Sequence, residues 1–393
     1  MKTILDLGNI PLVNNLKDSA QESLSATRYA LRAVMNDAKM VRLDTDVPPT
    51  EMFGDYLYKS GVSEPYRQHC NRMWYDVQHY IYGATPYQKP PYTPLVVDIG
   101  GNDGTLLKSF MSQHNKDILG DIEFLNVDPS DFADENLKDG IGYIQNFWGE
   151  DIVLPRKANL IVSTNVFQHN PDVHRFLAGI QKHLHGVWVL EFPYFLRTAE
   201  TNQFDQFYHE HYYYWLVTPL IELLKQYGLS IISITENPIH GGTLRVISTN
   251  LHNSSDAKML EKYVSMESRF DFSKWSTTIQ QKILQDKIFL SKLSLNGSIA
   301  CFGAAAKGCV YLNAMGEDIT NHLMYIVDDT AGKQGKYVPG TNLKVVSRNT
   351  LYETQPDYLL ILAHNFKDHI MKSLRPHYKG KFIVMIPTIE ICD

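Results

Sequence analysis

Twice in this chain a short apolar run ends in a glycine-rich turn and opens directly into a segment of helical spacing: LVVDIGGNDGTLLKSF from Leu95 and SIACFGAAAKGCVYLNAM from Ser298. A strand that hands over to a helix in this way begins a βα unit, and such units stack into parallel sheets covered by helices. Around the first turn the rhythm predicts strands at 95–100, 123–128, 159–164, 186–192, 229–235 and 243–249, with helices in TLLKSFMSQ, HRFLAGIQKHL and VTPLIELLKQYG. Around the second it predicts strands at 298–303, 324–329, 357–363 and 382–387. Residues 256–293, between the two sets, contain neither proline nor glycine and read as long connecting helices.

At 393 residues the chain is long for one hydrophobic core. The prolines of KPPYTP, residues 89–94, disfavour helix and mark a boundary. Residues 1–88 therefore read as a small irregular cap ending in a helix, 89–255 as one α/β domain, and 256–393 as the helical connector with a second. Lys+Arg 37 against Asp+Glu 43 leaves a net charge of −6 without blocks of like charge, so the footprint of a nucleic-acid-binding surface is missing. Four cysteines, at 70, 301, 309 and 392, supply neither a disulfide framework nor a tetrathiolate zinc site. With no secretory signal pattern and no long uncharged apolar run, the expectation is a cytoplasmic protein with no membrane partner, a monomer or small homo-oligomer.

The first turn places Asp98 at a strand end, Gly100, Gly101 and Gly104 in the loop, and Asp128 at the end of the next strand, where a carboxylate can accept both hydroxyls of a ribose. Dinucleotides, S-adenosylmethionine and plain structural turns all use glycines of this kind. Asp98 together with Asn102 and Asp103 makes the turn polar and acidic, which suits an ammonium and a sulfonium better than a pyrophosphate. Further on, FYHEHYYYW sets Tyr208, His209, Glu210 and His211 among aromatics, a setting that tunes a general base toward neutral pH. His209 and His211 could also share a metal, but no third ligand is spaced for it. HGGTLR brings His240 and Arg245 to a turn between two strands as an anion or carbonyl contact. At the second glycine turn Lys307 stands in the first helical turn, a phosphate site without the nucleoside-triphosphatase pattern. VDDTAGKQGKYVPGT adds Asp328, Asp329, Lys333, Lys336 and Tyr337, acids for a ribose and lysines for a diphosphate.

Taken in order, LDLGNIPLVNNL, MFGDYLYKSG, VVDIGGNDGTLL, NVDPS, TNVFQH, EFPY, FYHEHYYY, HGGTLR, FGAAAKG and DDTAGKQGKYVPGT resemble the S-adenosylmethionine-dependent sugar C-methyltransferases that act on nucleotide-linked 4-keto-6-deoxysugars. The resemblance implies an α/β fold: a small N-terminal domain, a central Rossmann-like methyltransferase domain and a C-terminal Rossmann-like domain that helps hold the sugar nucleotide. It makes S-adenosylmethionine the cofactor, with Asn165 beside it. It makes His211 the catalytic base, with Tyr208, Glu210 and His169 in the same pocket. It assigns Tyr56 and Tyr58 to the substrate, and Lys307 with the KQGKY loop to the nucleotide or diphosphate. Two departures stand out. LRAVMNDAKMVRLD lacks the cysteine pair with which the family's N-terminal domain binds zinc, so no metal is expected, and His364, at a loop the resemblance assigns to the sugar or nucleotide, stands in AHNF where the family tends to have tryptophan. A retired relative that only binds nucleotide sugars would share this fold, and a methyltransferase with another acceptor would share the donor turn. The intact Asp98, Gly100, Asp128, Tyr208, Glu210 and His211 favour a working enzyme.

Overall fold

Residues 1–43, expected to be irregular, form three antiparallel strands in a computed structural model that describes residues 1–45, 47, 48, 52, 61, 64–82, 92–251 and 255–393. β1 (Lys2–Pro11) pairs with β2 (Arg28–Met35), and β2 with β3 (Val41–Leu43). Register shifts between Thr3 and Leu5 and between Asp6 and Asn9 break the two-residue alternation by which a strand is read from sequence. The sheet's fourth strand comes from far away. It is β9 (Tyr213–Tyr214), the end of the YHEHYYY segment, pairing Val41 with Tyr214 and Arg42 with Tyr213.

The central sheet contains β4 (Leu95–Ile99), β5 (Glu123–Val127), β6 (Gly142–Ile144), β7 (Ala158–Thr164), β8 (Leu184–Pro193), β10 (Ser230–Asn237) and β11 (Thr243–Thr249). Their order is β10-β11-β8-β7-β4-β5-β6, parallel from β8 to β6, with β11 antiparallel to both its neighbours. All five residues of β4 are buried, as a strand covered by helices on both faces requires. The C-terminal sheet contains β12 (Ile299–Phe302), β13 (Leu323–Val327), β14 (Val345–Val346), β15 (Tyr358–Ile361), β16 (Lys381–Val384) and β17 (Glu390–Cys392), ordered β14-β13-β12-β15-β16-β17 and parallel but for β17. In both sheets the strand order reverses beside the strand that carries the glycine turn, and that is where open α/β sheets hold ligands. The fold is α/β with Rossmann-like sheets, as expected. The expected linker lies partly at 89–91, outside the described residues.

The connecting helices, Ala257–Arg269 and Phe272–Ser294, bind the halves together. Glu267 of the first accepts hydrogen bonds from the backbone of Val217 (2.6 Å) and Thr218 (2.9 Å), the Thr218 hydroxyl and Tyr194 Oη. It thus caps the helix Val217–Gln226 from outside, meeting donors that the helix itself cannot satisfy. No helix among the described residues is long and apolar enough to cross a membrane.

Candidate active site

The first glycine turn is built around a close backbone approach. Gly100 has φ 68° and its N–H donates to the Val127 carbonyl at 2.8 Å. A Cβ at Gly101 would lie 2.6 Å from both Asn126 Oδ1 and Asp98 Oδ2, so only glycine fits. Asn126, buried in the otherwise apolar β5, accepts from Gly101 N (3.1 Å) and donates to the Asn102 carbonyl (3.0 Å), where Asn136 also donates (3.2 Å). Neither asparagine was expected at the site, although a polar residue inside FLNV was its visible trace. Asp128 Oδ2 accepts from Asn102 N at 2.9 Å, and Oδ1 from Ser130 N at 2.8 Å. Asp98 is buried, and its Oδ1 meets no hydrogen-bond donor. Burial, then the charge of Asp128, pushes its carboxyl well above the usual range. Asp103 serves the turn, taking the Thr105 hydroxyl at 2.6 Å and Gly61 N at 3.0 Å at the start of the helix Thr105–Gln113, whose N-cap is Gly104. Asn165, at φ 56° just past β7, donates its N–H to the Glu191 carbonyl at 2.9 Å.

The helix Glu64–Val77 reaches this mouth of the sheet through Tyr66 Oη, 2.9 Å from the Thr164 hydroxyl, and His69 Nε2, 2.7 Å from Glu191 Oε2. Arg245, read from sequence as an anion contact, is directed elsewhere. Its strand β11 places it opposite Glu191 in register, where Nε donates to Glu191 Oε1 at 2.5 Å while another nitrogen meets Asp76. Its charge is spent on a buried carboxylate. His240 lies in the one-turn segment Ile239–Gly241, and Tyr56 and Tyr58 lie outside the described residues.

Tyr208 to His211 form a turn closed by a hydrogen bond from His211 N to the Tyr208 carbonyl at 2.9 Å, which aims the two histidines apart. His209 stands edge-on to Tyr29 of β2, with ring centres 5.9 Å apart. His211 lies 4.0 Å from Tyr208 and 4.7 Å from His169, centre to centre. Its Nδ1 donates to the Gln206 carbonyl at 3.1 Å, which leaves the lone pair on Nε2. Burial holds His211 well below its ordinary value, with the charges of His169 and Lys307 acting in the same direction. His169 is pushed down to about 4 by burial, against the pull of the Glu210 carbonyl that accepts its Nδ1–H at 2.8 Å. Both imidazoles are neutral at pH 7.

The Glu210 carboxyl is pushed up to about 7 by burial, while Asn14 Nδ2, donating at 2.5 Å, pulls it back. Asn14, from the segment after β1, is a site residue that sequence reasoning missed. Because the folded value lies above the ordinary 4.5, the folded chain keeps this proton through a window in which the unfolded chain has released it. The group's contribution to stability is complete below that window and is lost as pH rises through about 7. Glu210→Gln is expected to raise the denaturation midpoint more at about pH 8 than at about pH 5. Equal shifts at both would contradict the assignment.

At the second glycine turn Gly303, with φ 103°, donates to the Val327 carbonyl at 2.8 Å. Lys307, half-buried in the first turn of the helix Ala306–Met315, is pushed down to about 8 by burial against the attraction of Asp205. His364 Nε2 donates to Asp205 Oδ2 at 2.9 Å, so its ring turns to a buried partner in the chain. Lys333 Nζ donates to the Ala304 carbonyl at 2.9 Å and stands 3.5 Å from Asp328 Oδ2. Asp329 pairs with Arg348 at 2.6 Å. The backbone of Tyr337 exchanges hydrogen bonds with Lys17, at 2.7 and 3.0 Å, and Lys336 lies 3.5 Å from Asp18. The far half of the KQGKY loop thus ties the C-terminal sheet to the N-terminal segment. The structure gathers His169, Tyr208, Glu210, His211, Lys307 and His364 around one junction, and turns Arg245 toward Glu191 and Asp76. Among the described residues no group of three His, Cys, Asp or Glu side chains stands where it could hold a metal ion.

Two family models fall side by side on this framework. Residues 73–234 match a methyltransferase domain and residues 238–387 a C-methyltransferase C-terminal domain. The chain is an S-adenosylmethionine-dependent C-methyltransferase. The methyltransferase is 26% identical over 403 residues to the C-methyltransferase NovU of Streptomyces niveus, across 98% of this chain and 92% of that protein. Among solved structures, a 1,6-didemethyltoxoflavin-N1-methyltransferase from Burkholderia thailandensis, with bound S-adenosylhomocysteine, aligns at 16% identity over 57% of this chain and 99% of its own, with a TM-score of 0.37. A magnesium protoporphyrin IX methyltransferase from Synechocystis aligns at 12% identity over 46% and 82%, with a TM-score of 0.36. Superpositions this loose add nothing to the strand order already described.

The cofactor is S-adenosylmethionine, and the first turn fits it. A Cβ at Gly101 would fill the cradle, and Asp98 Oδ1 is a buried acceptor without a donor, as a site for a cationic amino acid requires. Asp128→Ala is expected to weaken binding of S-adenosylhomocysteine by about 10- to 100-fold, the cost of losing a charged hydrogen-bond partner. Calorimetry showing unchanged affinity would contradict the expectation that Asp128 takes the ribose.

Proposed function

We propose that the methyltransferase alkylates the carbon next to the ketone of a nucleotide-linked 4-keto-6-deoxysugar, with His211 as the base. The observation that carries this reading is the hydrogen bond from His211 Nδ1 to the Gln206 carbonyl, which presents Nε2 as a neutral acceptor in a buried aromatic pocket. Asp98, Gly100, Asn102, Gly104, Asp128 and Asn165 line the donor side, with Asp103 shaping the turn. S-adenosylmethionine supplies an electrophilic methyl group on a sulfonium. A hydrogen on carbon beside a ketone is weakly acidic, so a positioned base worth roughly 10²–10⁴-fold must act together with groups that favour charge on the ketone oxygen. Nε2 of His211 takes that proton. Tyr208 and Glu210 line the acceptor pocket, His169 meets the base edge-to-face, and Lys307 places positive charge beside it. Lys333 and Asp328, at the mouth of the second glycine turn, face the nucleotide or its diphosphate.

The test is incubation with S-adenosylmethionine and a panel of nucleotide-linked 4-ketosugars, read by mass spectrometry. The reading requires a gain of one methylene on at least one of them, with the new methyl on carbon. Gain on oxygen or nitrogen, or on none of the panel, would overturn it.

A further inference from the structure

His364 and Asp205 lie 159 positions apart in the chain and meet in its interior, 8% and 1% exposed. Asp205 belongs to the one-turn helix Phe204–Gln206, just before the YHEH turn, and His364 opens the turn His364–Phe366 that follows β15. A carboxylate only accepts, so the His364 Nε2–H donates to Asp205 Oδ2, at 2.9 Å. The preceding residue is clamped from the same side, the Phe204 ring stacking on Tyr311 with centres 5.7 Å apart. The following residue is Gln206, whose carbonyl accepts the Nδ1–H of His211. Three consecutive residues are thus fixed by two side chains of the C-terminal half and one of the candidate base. Burying a carboxylate is costly, and Asp205 Oδ1 is left with no hydrogen-bond donor, so the pair is a poor device for stability alone.

We infer that His364 and Asp205 are positioning residues through which the C-terminal half fixes the ring orientation and tautomer of His211. The inference rests on His211 being the base. His364 fixes the Asp205 side chain within the turn Phe204–Gln206, whose Phe204 carbonyl accepts the Phe207 N–H at 3.1 Å and so sets the peptide that carries the Gln206 carbonyl; that carbonyl holds the proton of His211 on Nδ1, leaving Nε2 to act. The position read from sequence as a substrate contact acts instead on the catalytic machinery from behind. The same linkage gives the C-terminal sheet a part in the reaction besides holding a nucleotide.

Nitrogen NMR of histidine-labelled full-length protein reads the tautomer without any acceptor, with the His211 signal assigned by its loss in His211→Ala. The wild type should show the proton on Nδ1. His364→Leu should turn His211 into a mixture of tautomers while binding S-adenosylhomocysteine as the wild type does, since the donor turn belongs to the other sheet. His364→Gln, whose amide can still donate to Asp205, should keep the wild-type signal. A wild-type proton on Nε2, or an unchanged His211 signal in His364→Leu, overturns the inference. If His364→Leu does not fold, the wild-type tautomer and the His364→Gln spectrum decide it. Failure of the base reading is seen separately, as methyl transfer that survives in His211→Ala.

Discussion

His211→Ala is expected to lose methyl transfer by on the order of 10²–10⁴-fold while binding S-adenosylhomocysteine as tightly as the wild type. Removing a general base raises the barrier without removing the contacts that bind the ground state. The expected split follows from the structure. Among the described residues the ring and hydrogen-bond partners of His211 are Tyr208, His169, Tyr214 and the Gln206 carbonyl, and none of these belongs to the first glycine turn. Because burial holds its pKa well below the ordinary 6.5, its loss should not change the acid limb of the rate profile near neutrality. A fall in donor affinity that matched the fall in rate would mean that the substitution had damaged the fold, and His169 would become the next candidate base.

The second large effect concerns stability. Glu191 is fully buried, takes His69 on one oxygen and Arg245 on the other, and lies where β8, β11 and the helix Glu64–Val77 converge. Burial alone would raise its pKa, yet the hydrogen bond from His69 and the charge of Arg245 overcome that and hold it below the usual value. Its stabilising contribution is therefore present at neutral pH and is lost only as pH falls below the ordinary glutamate range. Glu191→Ala strands the Arg245 guanidinium, 3% exposed, with Asp76 alone, and is expected to cost about 3–5 kcal/mol in chemical denaturation. A loss under about 1 kcal/mol would show that Asp76 suffices.

What could be read from the chain follows the range of the interaction responsible. LVVDI, LIVST and VWVLEF declare themselves as buried parallel strands because burial on both faces removes all alternation, which is a local signal. The glycine turns are equally local, since Gly100 and Gly303 answer to backbone geometry within a few residues. β1 escapes because its bulges shift the register twice. The strand β9 is two residues long and exists through pairing with β3, so no window around FYHEHYYY reveals it. The same limit governs the site. His211 and Glu210 were legible as an unusual cluster, but Asn14 reaches Glu210 across 196 positions. Arg245 looked like a ligand contact because an arginine beside HGG has no local partner, whereas Glu191 meets it only through the antiparallel register of β11 and β8. His364 finds Asp205 across 159 positions, so nothing around AHNF reveals the pair.

The most direct measurement of the central claim separates deprotonation from methyl transfer. A nucleotide-linked 4-keto-6-deoxysugar is held with the enzyme and S-adenosylhomocysteine in deuterated water, and proton NMR follows the hydrogen on the carbon beside the ketone. The account predicts that this hydrogen washes out with wild-type enzyme and persists with His211→Ala. Wash-out at the wild-type rate in the variant would contradict it.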